Sequence, residues 1–138
     1  RKPCATEIKE LEKLKRQSQG LMEKLVTLID EDAQTYHQVI QAYKEKQEKI
    51  VLSQKFLDAT VTLCQIARLN QDLLHLIEKL LPLCPPSCQG DLEMAANVAQ
   101  AAIKSAGAGI KANENKITDE AHQAILQEKL IELKPLVK

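Results

Sequence analysis

The chain has 138 residues and a mass of 15.4 kDa, which suits one compact domain and leaves no room for two independent cores. Lys plus Arg and Asp plus Glu are balanced at 19 each, so no basic excess points to nucleic acid or to an anionic membrane surface. Four Gly, five Pro, one Phe, two Tyr and no Trp, set among abundant Ala, Leu, Ile, Lys, Glu and Gln, exclude a sheet-rich core and predict an all-α fold. No apolar run approaches the roughly 18 residues of a membrane span, and Arg1-Lys2-Pro3 is not followed by a secretory apolar stretch. A soluble, cytoplasmic protein is expected, one that has lost residues upstream of Arg1.

In chain order, the first pattern runs from about 6 to 48 without proline. Leu11, Leu14, Leu21, Leu25, Ile29, Tyr36, Val39 and Tyr43 return at helical spacing. This predicts one long helix of about 60 Å at 1.5 Å per residue, with Gly20 as a point of bending. A rod longer than a small globule needs is expected to pack partly on a second chain. The next pattern, about 51 to 81, has a seam through Phe56, Thr60, Leu63, Ala67, Asn70, Leu74, Ile77 and Leu81, widened by Ile66, Leu69, Leu73, Leu76 and Leu80. Such breadth marks a helix central in its bundle. The stretch Pro82 to Gly90, rich in proline, is read as the principal non-helical connection.

A third helix is expected from Asp91 to about Asn113. Its seam of Ala95, Ala99, Ala102, Ala106 and Gly109 permits either close approach of a neighbouring helix or a groove for a flat ligand. Thr118 is the expected N-cap of a last helix, with Asp119 and Glu120 in its first turn and Pro135 beyond its end. The sum is an up-and-down bundle of about four helices in one domain, residues 1–138.

The residues able to carry chemistry are few. Four cysteines in an α-rich chain without a secretory signal are expected as reduced thiols. Cys84 and Cys88 lack a local cationic cluster, and His37, His75 and His122 are scattered rather than placed in metal-ligand spacing, so no metal site is expected. His37 and His75 are read as hydrogen-bonded structural histidines. On a helical wheel Asp32 falls within the arc of Leu25, Ile29, Tyr36, Val39 and Tyr43, whereas Asp30 points away. A carboxylate on an apolar face is either a rim group held by a neighbour or, if desolvated, a general acid or base near neutrality. Asp91 is read as capping the third helix, with its free amides as an alternative anion site. Asn113 lies about 33 Å from Asp91 along a straight helix, too far to share one pocket within one subunit. No nucleophile elbow, P-loop, dinucleotide fingerprint or zinc-helix motif occurs.

Three segments carry a family resemblance. Lys24-Leu25-Val26-Thr27-Leu28-Ile29-Asp30-Glu31-Asp32-Ala33-Gln34-Thr35-Tyr36 resembles the L-I-D-E-D-A-x-x-F/Y segment of the cyclodeaminase and methenyltetrahydrofolate cyclohydrolase family. That family also forms the C-terminal domain of formiminotransferase-cyclodeaminase. Cys88-Gln89-Gly90-Asp91-Leu92-Glu93-Met94-Ala95-Ala96 is similar to its S-D-L-x-V-A-A segment. Ile110-Lys111-Ala112-Asn113, followed by Ile117-Thr118-Asp119-Glu120-Ala121, resembles its V-x-I-N-L…I-T-D-E ending.

The resemblance implies an all-helical, homodimeric folate enzyme. Such an enzyme closes formiminotetrahydrofolate to methenyltetrahydrofolate with loss of ammonia, or hydrolyses the methenyl compound, with the folate in a groove near the subunit interface. It implies Asp32 and Asp91 as catalytic carboxylates, and Asn113 and Tyr36 as substrate-binding residues, Asn113 reaching the site from another element or chain. A tetrahydrofolate derivative is the substrate, and no separate cofactor or metal is implied. Three departures stand out: the family's glycine-rich P-G-G-G turn occurs nowhere in the chain, which is expected to lack that N-terminal helix, the family's L-P-K after the first helix is replaced by Lys44 to Lys49, and its Gly-Asn before the third helix is replaced around Cys84 and Pro85. A catalytically silent helical dimerisation module, keeping Asp32 and Asn70 as register-setting polar residues, is the competing expectation.

Overall fold

The computed structural model describes residues 2–133 as four α-helices and one short 3₁₀ turn, with no strand among the described residues. The helices are α1 (Ala5–Lys44), α2 (Lys49–Leu80), α3 (Pro86–Glu114) and α4 (Glu120–Leu133). Helix α2 packs against each of the other three, whereas α1 and α3 flank it and scarcely meet. The breadth of its apolar seam therefore reads correctly as a central position: Leu57, Thr60, Cys64, Ala67, Asn70 and Ile77 are all buried. Asn70 donates its amide to the Ile66 carbonyl of its own helix (2.8 Å).

Helix α1 is unbroken through Gly20. It ends at Lys44, four residues short of the expected limit, in a Schellman arrangement: Gln47 N–H bonds the Ala42 carbonyl (3.0 Å) and Lys46 N–H that of Tyr43 (3.1 Å). Lys46 supplies the left-handed turn at φ 53°, a conformation that side chains with a Cβ resist. Lys44 to Lys49 is thus a compact reversal. Tyr43 and Phe56 meet across it edge to face, ring centroids 6.1 Å apart.

The proline-rich stretch behaves differently from its reading as a coil. Leu81–Leu83 forms a 3₁₀ turn, the chain breaks at Cys84 and Pro85, and Pro86 already opens α3. Proline is well suited to the first helical position, where its missing N–H would be unpaired in any case. Asp91 consequently lies a turn and a half inside α3, exposed, and caps nothing.

The alanine face of α3 is occupied. Ala99, Ala106 and Ile110 are buried against α2, and a Cβ added at Gly109 would fall 2.8 Å from Leu63 Cδ1. Close approach is what the small residues permit at Ala99, Ala106 and Gly109, while Ala95 and Ala102 are half-buried.

The last helix is capped one residue later than expected. Asp119 Oδ2 accepts from the Ala121 and His122 amides (3.1 and 3.2 Å), while Thr118 is exposed. Pro135, the expected stop after this helix, lies outside the described residues. Ile117, at 1% exposure, anchors the α3–α4 connection against Leu57 and Leu126.

Candidate functional site

Only part of the apolar face expected on α1 is covered. Leu14, Leu28, Val39 and Ala42 are its buried residues. Ile29, Tyr36 and Tyr43, expected on the same face, are 67%, 66% and 50% exposed. One broad stripe is really two, because among the described residues α2 is the helix against which α1 packs extensively, and the arc facing it is the one that is covered. The outer stripe is regular: Met22, Val26, Ile29, Ala33, Tyr36, Ile40 and Tyr43, all exposed except the half-buried Ile40, alternate by four and three residues. That is the spacing of a coiled-coil seam. Asp32 sits at the boundary of the two stripes, half-buried, and Thr35 returns its hydroxyl to the Asp32 carbonyl (3.1 Å).

Helix register decides which candidates can meet. Glu31 and Gln65 line one cavity, and Gln17 and Lys79 another, so α1 and α2 run antiparallel with Asp32 about level with Cys64. Leu63 in turn touches Gly109 of α3. Asn113, half-buried, is one turn beyond that contact, about 6 Å along the axis, whereas Asp91 lies about 27 Å toward the opposite end. Asp32 and Asn113 therefore lie toward the same end of the bundle, more than a turn apart in level and on different helices flanking α2. Asp91 belongs to the other end. Within one protomer the two aspartates are too far apart along the bundle to share one pocket.

Sequence reading missed a constellation of serine, histidine and aspartate. Ser53 Oγ lies 2.8 Å from His122 Nδ1, Asp119 N–H donates to Ser53 Oγ (3.1 Å), and the Asp119 carboxylate is 3.8 Å from the same ring nitrogen. A catalytic triad places acid and nucleophile on opposite ring nitrogens; here both face Nδ1, and Ser53 is wholly buried. The group is a latch between the starts of α2 and α4. Its signal was invisible because Ser53 and His122 are 69 positions apart. His37, expected as a structural histidine, is instead exposed with no hydrogen-bond partner among the described residues, and His75 bonds Gln71 (2.9 Å) at the surface.

The cysteines are all free thiols, Cys4 and Cys88 exposed and Cys64 buried. Burial pushes the Cys64 thiol above its ordinary range, with Lys129 opposing and Glu132 reinforcing. It is protonated at neutral pH and a poor nucleophile. No group of three or more His, Cys, Asp or Glu among the described residues could hold a metal ion. None of the described helices is long and apolar enough to cross a membrane.

Comparison with family models matches residues 1–132 to the family described as formiminotransferase-cyclodeaminase. Searches of curated proteins and of solved structures return no match. The family match spans all three segments whose order and spacing carry the resemblance.

Proposed function

Since the chain belongs to the formiminotransferase-cyclodeaminase family, we propose that it is a cytoplasmic folate one-carbon enzyme, active as a homodimer on a tetrahydrofolate derivative. The reaction is cyclodeamination of formiminotetrahydrofolate or hydrolysis of the methenyl compound. The observation that carries this reading is the family match over residues 1–132, which includes the segment ending in Asp32 and Tyr36 and that containing Asp91.

In the cyclodeaminase direction, N10 attacks the formimino carbon, the C=N double bond opens to an amine that takes one proton from N10 and one from the general acid, and the remaining carbon–nitrogen bond breaks to release ammonia and the methenyl cation. Positioning the two reacting atoms and supplying a proton are the protein's tasks. Asp32 is the proposed proton donor, with Tyr36 one turn along α1 as a stacking surface for the pterin. Asn113 hydrogen-bonds the substrate. The separation of Asp91 from Asp32 requires that Asp91 act from a second copy, and the exposed seam of α1 favours such pairing.

Absorbance titration with methenyltetrahydrofolate tests the proposal. Saturable binding is expected, weakened tenfold or more in both Asp32→Ala and Asp91→Ala at unchanged helix content, with ammonia release from the formimino substrate identifying the cyclodeaminase. A folded dimer that binds no folate would be the silent dimerisation module instead, a reading that the same exposed seam favours.

A further inference from the structure

Gly20 stands in the interior of a 40-residue helix. An interior glycine weakens a helix relative to alanine because it exposes backbone and has more conformational freedom to lose. Glycine is usually excused by a positive φ or by a close neighbour, and Gly20 has neither: no glycine has positive φ, and a Cβ built at Gly20 meets nothing within 4 Å. What it does face is a cavity of about 390 Å³ between α1 and α2, lined with Leu21, Lys24, Asp72, His75, Leu76 and Lys79 among others. That volume is in the range of small-ligand sites. A second cavity of about 360 Å³ shares Lys24 and continues the groove toward Glu31.

The charges give the groove a polarity. Neither Lys24 nor Lys79 takes part in an ion pair among the described residues. Lys24 stands about level with Asp72, while Lys79, at the other end, faces Gln17. Seven residues of α2 separate the two levels, about 10 Å. Between them the floor is apolar, Leu21 and Leu76, with the His75 ring on one wall. None of Asp32, Tyr36, Asp91 or Asn113 lines either cavity.

We propose that this groove, kept open by Gly20, binds an elongated small organic dianion, its two acid groups held by Lys24 and Lys79 and its apolar middle lying over Leu21 and Leu76. Charge-assisted hydrogen bonds from two lysines fix the ends. The Asp72 carboxylate disfavours ligands with additional negative charge near the Lys24 end.

The test is a two-dimensional amide NMR titration of the full chain with suberate as probe, alongside hexanoate and inorganic phosphate. Saturable shifts centred on Gly20, Leu21 and Leu76 are expected with suberate, at least about tenfold weaker with hexanoate, which lacks the second acid group. Lys24→Gln and Lys79→Gln should each weaken suberate binding by about three- to tenfold, and Gly20→Gln should abolish it by filling the groove. Asp32→Ala should leave it unchanged, which separates this site from the folate reading. Shifts that stay linear, that are indifferent to the lysine substitutions, or that appear equally with phosphate would overturn the proposal. So would a Gly20→Gln chain that changes its state of association in sedimentation while still binding suberate, since the groove would then be a contact between copies.

Discussion

Ser53 shows how one buried hydroxyl can join two distant parts of the chain. It accepts from the Asp119 amide and meets His122 Nδ1, so truncating it removes the partner of a part-buried amide and of a largely buried ring nitrogen. Ser53→Ala should cost about 1–3 kcal/mol in denaturant-midpoint measurements, the range for an orphaned buried polar group. As a comparison, Thr118→Ala, at the exposed position next to the true cap, should stay within about 0.5 kcal/mol. A loss of about 1 kcal/mol or more at Thr118 would refute the assignment of Asp119 as cap. Individual residues were the least legible scale. The type and phase of Asp32 could be read, but its half-burial depends on how much of α1 the neighbours cover, and Asp91 changed role because Pro86, not the aspartate, opens the helix.

At the scale of elements, small residues govern the approach of α3 to α2. Ala67 and Ala106, at 0% and 3% exposure, belong to one core cluster with Cys64, Ile110 and Leu133. Ala106→Leu should destabilise by about 1–3 kcal/mol through overpacking, read as a fall in unfolding midpoint. Ala101→Leu, on the exposed side of the same helix, should be close to neutral; a comparable loss there would mean that the outer face is covered in solution. The alanine periodicity was legible in the sequence. Whether it made a contact or a channel was not, since both use the same spacing and differ only in whether another helix arrives.

For the whole molecule, the arrangement is a central α2 with α1 and α3 flanking it, which leaves the outer stripe of α1 largely uncovered by the described residues. Met22, Val26, Ile29 and Tyr36 are each more than half exposed, at 60%, 57%, 67% and 66%, far more contiguous apolar surface than scattered exposed residues provide. Pairing of two copies along this seam would make apparent stability depend on protein concentration. Ile29→Asp should therefore convert a dimer to a monomer in sedimentation and remove the concentration dependence of Tm. A wild-type chain already monomeric, with a concentration-independent Tm, would exclude this face as the interface.

Composition and periodicity were enough for the helical class, the number of helices, the long α1 and the central place of α2, because amphipathic spacing and proline placement act locally along the chain. Order and spacing of three short segments were enough for the family. Tertiary structure alone decided that one apolar arc of α1 faces α2 while the other is left uncovered by the described residues, that the buried alanines of α3 make a helix contact, and that Asp32 and Asn113 lie toward one end of the bundle and Asp91 toward the other. Those outcomes depend on register between helices, and register is set by contacts such as Leu63 with Gly109 and Ser53 with His122, made between residues that no local pattern connects.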